Sequence, residues 1–141
     1  MAAFLIIYMV MGTAMTIKPT VLVVDDDEDM LFLLQHKLEA EGFIPLLCPN
    51  GRNVMSIIST KHPDLVLLDL NMKGIYGGSI CNEIKSDETL SDIAVIIFSA
   101  NENISSVSND CGADGYLRKP FNGEKFRQTF MQALAHNKAN H

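Results

Sequence analysis

The 141-residue chain is 48% hydrophobic, 20% charged and 7% aromatic, enough for one core and too little for two ordinary domains. That apolar content, with no low-complexity tract, excludes an intrinsically disordered chain. Eleven Lys plus Arg against 17 Asp plus Glu leave a net charge of −6, which argues against sequence-independent nucleic-acid binding, because that binding neutralises phosphates.

The chain begins on an apolar extension, residues 1–17. No charged residue precedes Lys18, and four of the eight methionines (Met1, Met9, Met11, Met15) fall in the first fifteen positions. Residues 2–11 are too few to span a bilayer, which takes about 20 apolar residues. They also lack the basic residues that open a secretory signal. Three readings stay open: a start at Met15 with residues 1–14 as an extension, an element packed on the body or on a second copy, or a segment for export or anchoring; left uncovered, the run would be an association patch.

From residue 18 onward, short apolar runs alternate with segments of helical period. Residues 21–24 form the first run, followed by Asp25-Asp26-Asp27-Glu28-Asp29. Leu31, Leu34 and Leu38 come next at helical spacing, with acidic residues in the first turn, an N-cap role for Asp27 or Glu28, and Gly42 as the stop. A second run at 43–47 precedes a helix marked by Val54, Ile57 and Ile58. The third, at 65–68, is followed by Asp69 and then by Ile80 and Ile84. The fourth, at 94–98, precedes a weaker pattern of Ile104 and Val107; the fifth, at 115–117, precedes Phe126, Phe130, Ala133 and Leu134. Runs 21–24 and 65–68 are apolar on both faces, as strands are when helices cover both sides of a parallel sheet. The alternation predicts an α/β fold, an open doubly wound parallel sheet with right-handed crossovers, and no linker divides residues 18–141.

In such a sheet ligands bind beyond the carboxyl ends of the strands. The residues at those ends are Asp25 and its acidic neighbours, Asp69, Ser99-Ala100-Asn101, and Arg118-Lys119-Pro120. Taken singly, each has an ordinary explanation as a solvated turn, a loop residue or a helix cap. Their joint placement at four strand ends is what carries information. Crowded carboxylates repel unless a cation intervenes, and hard oxygen ligands suit Mg2+. Asp69 would then be a nucleophile towards phosphorus, with Lys119 and Ser99 stabilising phosphoryl oxygens. No glycine-rich phosphate loop is present, so the phosphoryl group need not come from a bound nucleotide. Cys48, Cys81 and Cys111 form no metal motif or disulfide framework and read as free thiols in a reducing, cytoplasmic setting.

Four stretches carry a resemblance: Val21-Leu22-Val23-Val24-Asp25-Asp26; Asp64-Leu65-Val66-Leu67-Leu68-Asp69-Leu70-Asn71-Met72; Ile96-Ile97-Phe98-Ser99-Ala100; and Gly112-Ala113-Asp114-Gly115-Tyr116-Leu117-Arg118-Lys119-Pro120-Phe121. Over residues 20–134 the chain resembles the receiver domain of bacterial two-component response regulators, including stand-alone chemotaxis regulators. The resemblance implies a flavodoxin-like fold, with five parallel strands in order 2-1-3-4-5 and five helices. It implies a phosphoacceptor switch that takes a phosphoryl group from a histidine kinase or histidine phosphotransfer protein in a Mg2+-dependent reaction. Such a domain catalyses its own phosphorylation and dephosphorylation and is no conventional enzyme. Asp69 would be the acceptor, Asp26 a direct metal ligand, Asp25 a ligand through water, and Asn71 a ligand through its carbonyl. Lys119 would pair with the phosphoryl group, with a cis peptide before Pro120. Ser99 and Tyr116 would be the switch pair, and Asn71 and Asn101 would modulate hydrolysis of the acyl phosphate. Output would run through the fourth helix, fifth strand and fifth helix, near Ile104, Val107, Tyr116 and Phe121, to a protein target. Neither nucleic acid nor membrane is implied as a direct partner, and dimerisation on phosphorylation is left open.

Two departures from the family pattern stand beside Asp69. Lys73 replaces the usual Pro, and Tyr76 replaces the common acidic residue before Gly77. Fewer prolines and more glycines predict a looser loop, and with it an altered partner choice or phosphoryl lifetime rather than a lost acceptor. Lys73 itself reads as an exposed cation within reach of a phosphate or a partner. Only residues 135–141 follow the last helix, which predicts a single-domain regulator or a receiver cut from a longer chain. His36, His62, His136 and His141 lack a phosphotransfer context and read as surface residues. Two alternatives remain at this point. One is an aspartyl-nucleophile phosphatase of haloacid dehalogenase type, built on Asp25 and Asp27. The other is a receiver-like interaction module with an unused site.

Overall fold

The computed structural model describes residues 18–139, so the readings made for residues 1–17 and His141 lie outside the described residues. Five strands, β1 (Thr20–Val24), β2 (Ile44–Cys48), β3 (Leu65–Asp69), β4 (Ala94–Ser99) and β5 (Gly115–Arg118), build one parallel sheet. Their order is β2-β1-β3-β4-β5, as the resemblance implied. Between and after them run α1 (Glu28–Ala40), α2 (Val54–Lys61), α3 (Gly77–Ser86), α4 (Ile104–Cys111) and α5 (Gly123–Ala139). A single 3-10 turn, Gly51–Asn53, leads into α2, and Asn50 caps it by accepting the Arg52 N–H at 2.9 Å.

Alternation along the strands sorts the core into two layers. Val21, Val23, Leu65 and Leu67 face Leu31, Leu34 and Leu38 of α1 and Phe126 and Phe130 of α5. Leu22, Val24, Val66 and Leu68 face Val54 and Ile58 of α2, Ile80 and Ile84 of α3 and Ile104 of α4. All eight strand residues are fully buried. Each such aliphatic side chain contributes about 1.5–3 kcal/mol by leaving water. The edge strand β2 differs, with Ile44 and Leu47 exposed on a run that reads as uniformly apolar. Its bounds lie one residue later than the run at 43–47, and Phe43 packs on the Phe130 ring instead, with centroids 5.3 Å apart.

Helix α1 starts where sequence reasoning placed its cap. The Asp27 carboxylate accepts the N–H groups of Asp29 at 2.9 Å and Met30 at 3.3 Å, satisfying donors that have no partner within the helix. At the opposite end of the sheet from the acidic residues, the Lys85 side chain is largely buried. It donates to the carbonyls of Ser91 and Ile93 and to Asp114 Oδ2 and Asn137 Oδ1, at 2.9–3.1 Å. That one cation ties α3 to the start of β4, the approach to β5, and α5. The three cysteines are free and buried. His36, His62 and His136 are exposed, in keeping with their reading as surface residues.

Candidate functional site

Strand order decides which side chains meet. Because β1 lies beside β3, with Val24 opposite Leu68, the residue after one strand and the last residue of the other become neighbours. Carboxylate oxygens of Asp25, Asp26 and Asp69 lie within 4.8 Å of one another. Asp25 and Asp69 are buried, at 1% and 6% exposure, and Asp26 is exposed. Asp25 Oδ1 accepts the Asp27 N–H at 2.9 Å, whereas its Oδ2 is buried with no hydrogen-bond partner. Asp69 Oδ1 accepts the Asn71 N–H at 3.3 Å. Burial, then the charge of Asp25, push the Asp69 carboxyl up to about 6, and burial also raises Asp25.

An orphaned buried carboxylate oxygen is costly. Two adjacent carboxylates that resist ionisation together make the same point electrostatically. A divalent cation relieves both, and an all-oxygen set left partly open to water suits Mg2+. The donor set present therefore fits the metal that the residue types suggested.

The fourth and fifth strands bring the other groups to the same edge. Lys119 Nζ stands 4.0 Å from Asp69 Oδ1 and 4.5 Å from the centroid of the Phe98 ring. It follows β5, its N–H bonds the Ser99 carbonyl at 2.9 Å, and the Lys119–Pro120 peptide is cis. Ser99 is the last residue of β4 and 3% exposed. Its hydroxyl oxygen accepts from Asn71 Nδ2 at 3.2 Å and from the Asn101 N–H at 3.1 Å, so its own proton is left to donate. Asn71 and Asn101 thus flank the site, and Asn101 Oδ1 turns back to accept the Asn103 N–H at 2.9 Å. Tyr116 sits on β5 opposite Ile97, 38% exposed, and among the described residues no hydrogen bond joins it to Ser99. It lines an open groove of about 420 Å³ with Arg118, Phe121 and Lys125.

The segment after Asp69 departs from the loosened loop expected for it. Residues Asn71–Met72 pair antiparallel with Ile75–Tyr76 in a two-stranded ribbon, turning at Lys73 and Gly74, where Gly74 has φ 71°. The Lys73 side chain is exposed as expected, but its backbone N–H donates to Asp26 Oδ2 at 2.9 Å. Gly77 closes the segment: its N–H bonds the Leu70 carbonyl at 2.8 Å, and a Cβ there would stand 2.2 Å from the Asp69 carbonyl oxygen. The glycine is needed for close approach rather than for freedom. Sequence reasoning missed both the ribbon and this contact. The one local signal was the Lys-Gly pair between two-residue segments.

Asp27 does not join the acidic cluster, because its carboxylate is engaged in capping α1. The phosphatase alternative paired Asp25 with Asp27, whereas the acidic cluster joins Asp25 to Asp26 and Asp69.

The model of the response regulator receiver domain matches residues 21–131. The chain belongs to that family. Among curated relatives, this receiver domain is 34% identical over 103 residues to the response regulator MprA of Mycolicibacterium vanbaalenii, covering 72% of this chain and 44% of that protein. It is 30% identical over 101 residues to the alkaline phosphatase synthesis transcriptional regulatory protein PhoP of Bacillus subtilis, covering 72% of this chain and 42% of that protein. The chain thus spans less than half the length of these relatives. A putative response regulator from Chloroflexus aurantiacus superposes with a TM-score of 0.78 at 25% identity, over 84% of this chain and 99% of that one. The chemotaxis protein CheY4 of Vibrio cholerae shares the fold, with a TM-score of 0.75 at 21% identity over 83% of this chain and 99% of that one. The receiver domain is a phosphoacceptor signalling switch of the two-component type. Among the described residues no helix is long and apolar enough to cross a membrane.

Proposed function

We propose that Asp69 is the phosphoacceptor of this receiver domain and that Asp25, Asp26, Asp69 and the Asn71 carbonyl hold the Mg2+ it requires. The observation that carries this reading is the convergence of three carboxylates within 4.8 Å, one with a buried orphan oxygen, beside an ammonium 4.0 Å from Asp69. When bound, Mg2+ supplies charge neutralisation for the carboxylates and for the incoming phosphoryl oxygens. The chain's own groups do the rest. With its proton lost, an Asp69 oxygen forms the new bond to phosphorus while the bond from phosphorus to the donor's imidazole nitrogen breaks. The electron pair leaves with that nitrogen. Lys119 is placed to pair with a phosphoryl oxygen in place of the carboxylate oxygen it faces now. Ser99, with an unspent proton, donates to another oxygen, which pulls the β4 end towards the acceptor.

The phosphoryl donor is a sensor histidine kinase or a histidine phosphotransfer protein. The readout is a protein target on the face formed by α4, β5 and α5, where Tyr116 and Phe121 stand beside Arg118 and Lys125. Ser99 and Tyr116 form the switch pair: the hydroxyl moves to the phosphate, and the exposed ring turns inward. Asn71, Asn101 and Lys73 modulate how fast the acyl phosphate is lost. Residues 18–141 form the receiver unit, placed in the cytoplasm with its kinase.

Incubation of the full chain with acetyl phosphate tests the reading. A gain of one phosphoryl group in intact mass is expected with Mg2+ present, and none is expected with a chelator or in Asp69→Asn. Phosphorylation independent of Mg2+, or continuous turnover of a generic phosphate ester, overturns it.

A further inference from the structure

The Lys73 N–H to Asp26 contact joins residues 47 apart in sequence and is made by the backbone, not by the lysine side chain. Any residue except proline offers it. The turn that delivers the donor is well defined. Met72 and Ile75 are paired, Gly74 has φ 71°, and among non-glycine residues described only His62 has positive φ, so Lys73 has negative φ. Negative then positive φ is the sign pattern of a type II turn, whose first central position favours proline.

We propose that the Lys73 backbone amide is a positioning group for the cation site. It holds the otherwise exposed Asp26 carboxylate in the orientation that brings it within 4.8 Å of Asp25 and Asp69. This rests on the reading of those carboxylates as the Mg2+ site. A free aspartate at the surface samples several rotamers, and ordering it costs part of the binding free energy. One donated N–H fixes the carboxylate while leaving most of its roughly four lone-pair directions open to a cation. The ribbon thus does more than connect β3 to α3. It makes the loop that carries the acceptor's neighbours also hold a ligand that arrives from β1.

The geometry offers a clean separation of amide from side chain. Lys73→Ala removes the ammonium and keeps the N–H. Lys73→Pro removes both, yet keeps the negative φ that the turn already has at this position, and follows a strand residue, Met72, in the extended conformation that a pre-proline position requires. Mg2+ binding to the full chain, followed by calorimetry with no phosphodonor present, reads the effect directly. The Ala variant is expected to bind as the unaltered chain does, and the Pro variant about tenfold more weakly, the lower end of what outer partners of metal ligands contribute. Superimposable thermal melts of the two metal-free variants show that the turn survived. If the melts differ, a titration of backbone amide resonances of Asp25–Asp27 gives the site affinity for the folded population. Equal Mg2+ affinities in the two variants overturn this proposal alone. Tighter binding by the Pro variant also overturns it, by showing that the amide competes with the cation. No Mg2+ binding by the unaltered chain overturns the site assignment and this proposal together.

Discussion

Asp69, the proposed phosphoacceptor, is held in its ionised form only at a cost. Its carboxyl titrates near 6 because burial and the Asp25 charge both oppose ionisation. The folded state therefore binds the proton more tightly than the unfolded chain, where the ordinary value is 3.8. The resulting stability is fully present below that ordinary value and is lost as pH rises through about 6. Without divalent cation at mildly alkaline pH, Asp69→Asn is expected to be more stable than the unaltered chain by about 1–3 kcal/mol. Denaturant titrations at stepped pH should show the difference shrinking as pH falls through 6 towards 3.8, and saturating Mg2+ should abolish it by stabilising the unaltered chain. An Asn variant no more stable at alkaline pH would contradict the account of a strained acceptor. Gly77 makes a steric claim at the same spot. Gly77→Ala drives a Cβ to 2.2 Å from the Asp69 carbonyl oxygen unless the backbone moves. An overpacking cost of about 1–3 kcal/mol is expected in thermal or chemical unfolding, together with slower phosphorylation by acetyl phosphate.

At the level of elements, what the sequence made legible follows from what pattern can encode. β1 and β3 were readable because burial on both faces leaves runs with no polar alternation, and 21–24 and 65–68 are such runs. The carboxylates at their ends were readable because doubly wound sheets gather ligands there. That Asp25 and Asp69 are adjacent follows from strand order, which no local pattern states and which the family resemblance supplied. The ribbon at 71–76 was illegible because two-residue strands have no periodicity, and the lost proline argued for looseness when a backbone bond to Asp26 supplies order instead. Lys85 was illegible for another reason. It reads as an ordinary basic residue in the last turn of a helix, while its partners Asp114 and Asn137 lie 29 and 52 residues away. Lys85 and Asp114 form an ion pair with side chains only 14% and 4% exposed. Asp114 also accepts the Val95 N–H at 2.8 Å. Removing one partner of such a pair strands the other, so Lys85→Met is expected to cost about 3 kcal/mol in stability. The loss should be strongly non-additive with Asp114→Asn in a double-mutant cycle. An additive cycle would show that the two act separately.

Across the whole molecule, the sheet puts the proposed acceptor edge and the proposed readout face on connected parts of one element set. Ser99 ends β4 and leads into α4, and Lys119 follows β5, whose Tyr116 stands in the exposed groove. A phosphoryl group added at Asp69 brings charge that Lys119 can pair with and an acceptor for the Ser99 hydroxyl, biasing an equilibrium between two arrangements of this edge. Binding of a beryllofluoride mimic is therefore expected to reduce the exposure of Tyr116, read by solvent accessibility of its ring in nuclear magnetic resonance. An unchanged Tyr116 would separate phosphorylation from this output face. The Lys119, Ser99 and Tyr116 responses all require the phosphoryl group to land on Asp69. Borohydride reduction after Mg2+ and acetyl phosphate treatment, followed by peptide mass mapping, converts an aspartyl phosphate to homoserine and marks its position. The account predicts homoserine at position 69 alone; homoserine at 25 or 26, or at no aspartate, would contradict it.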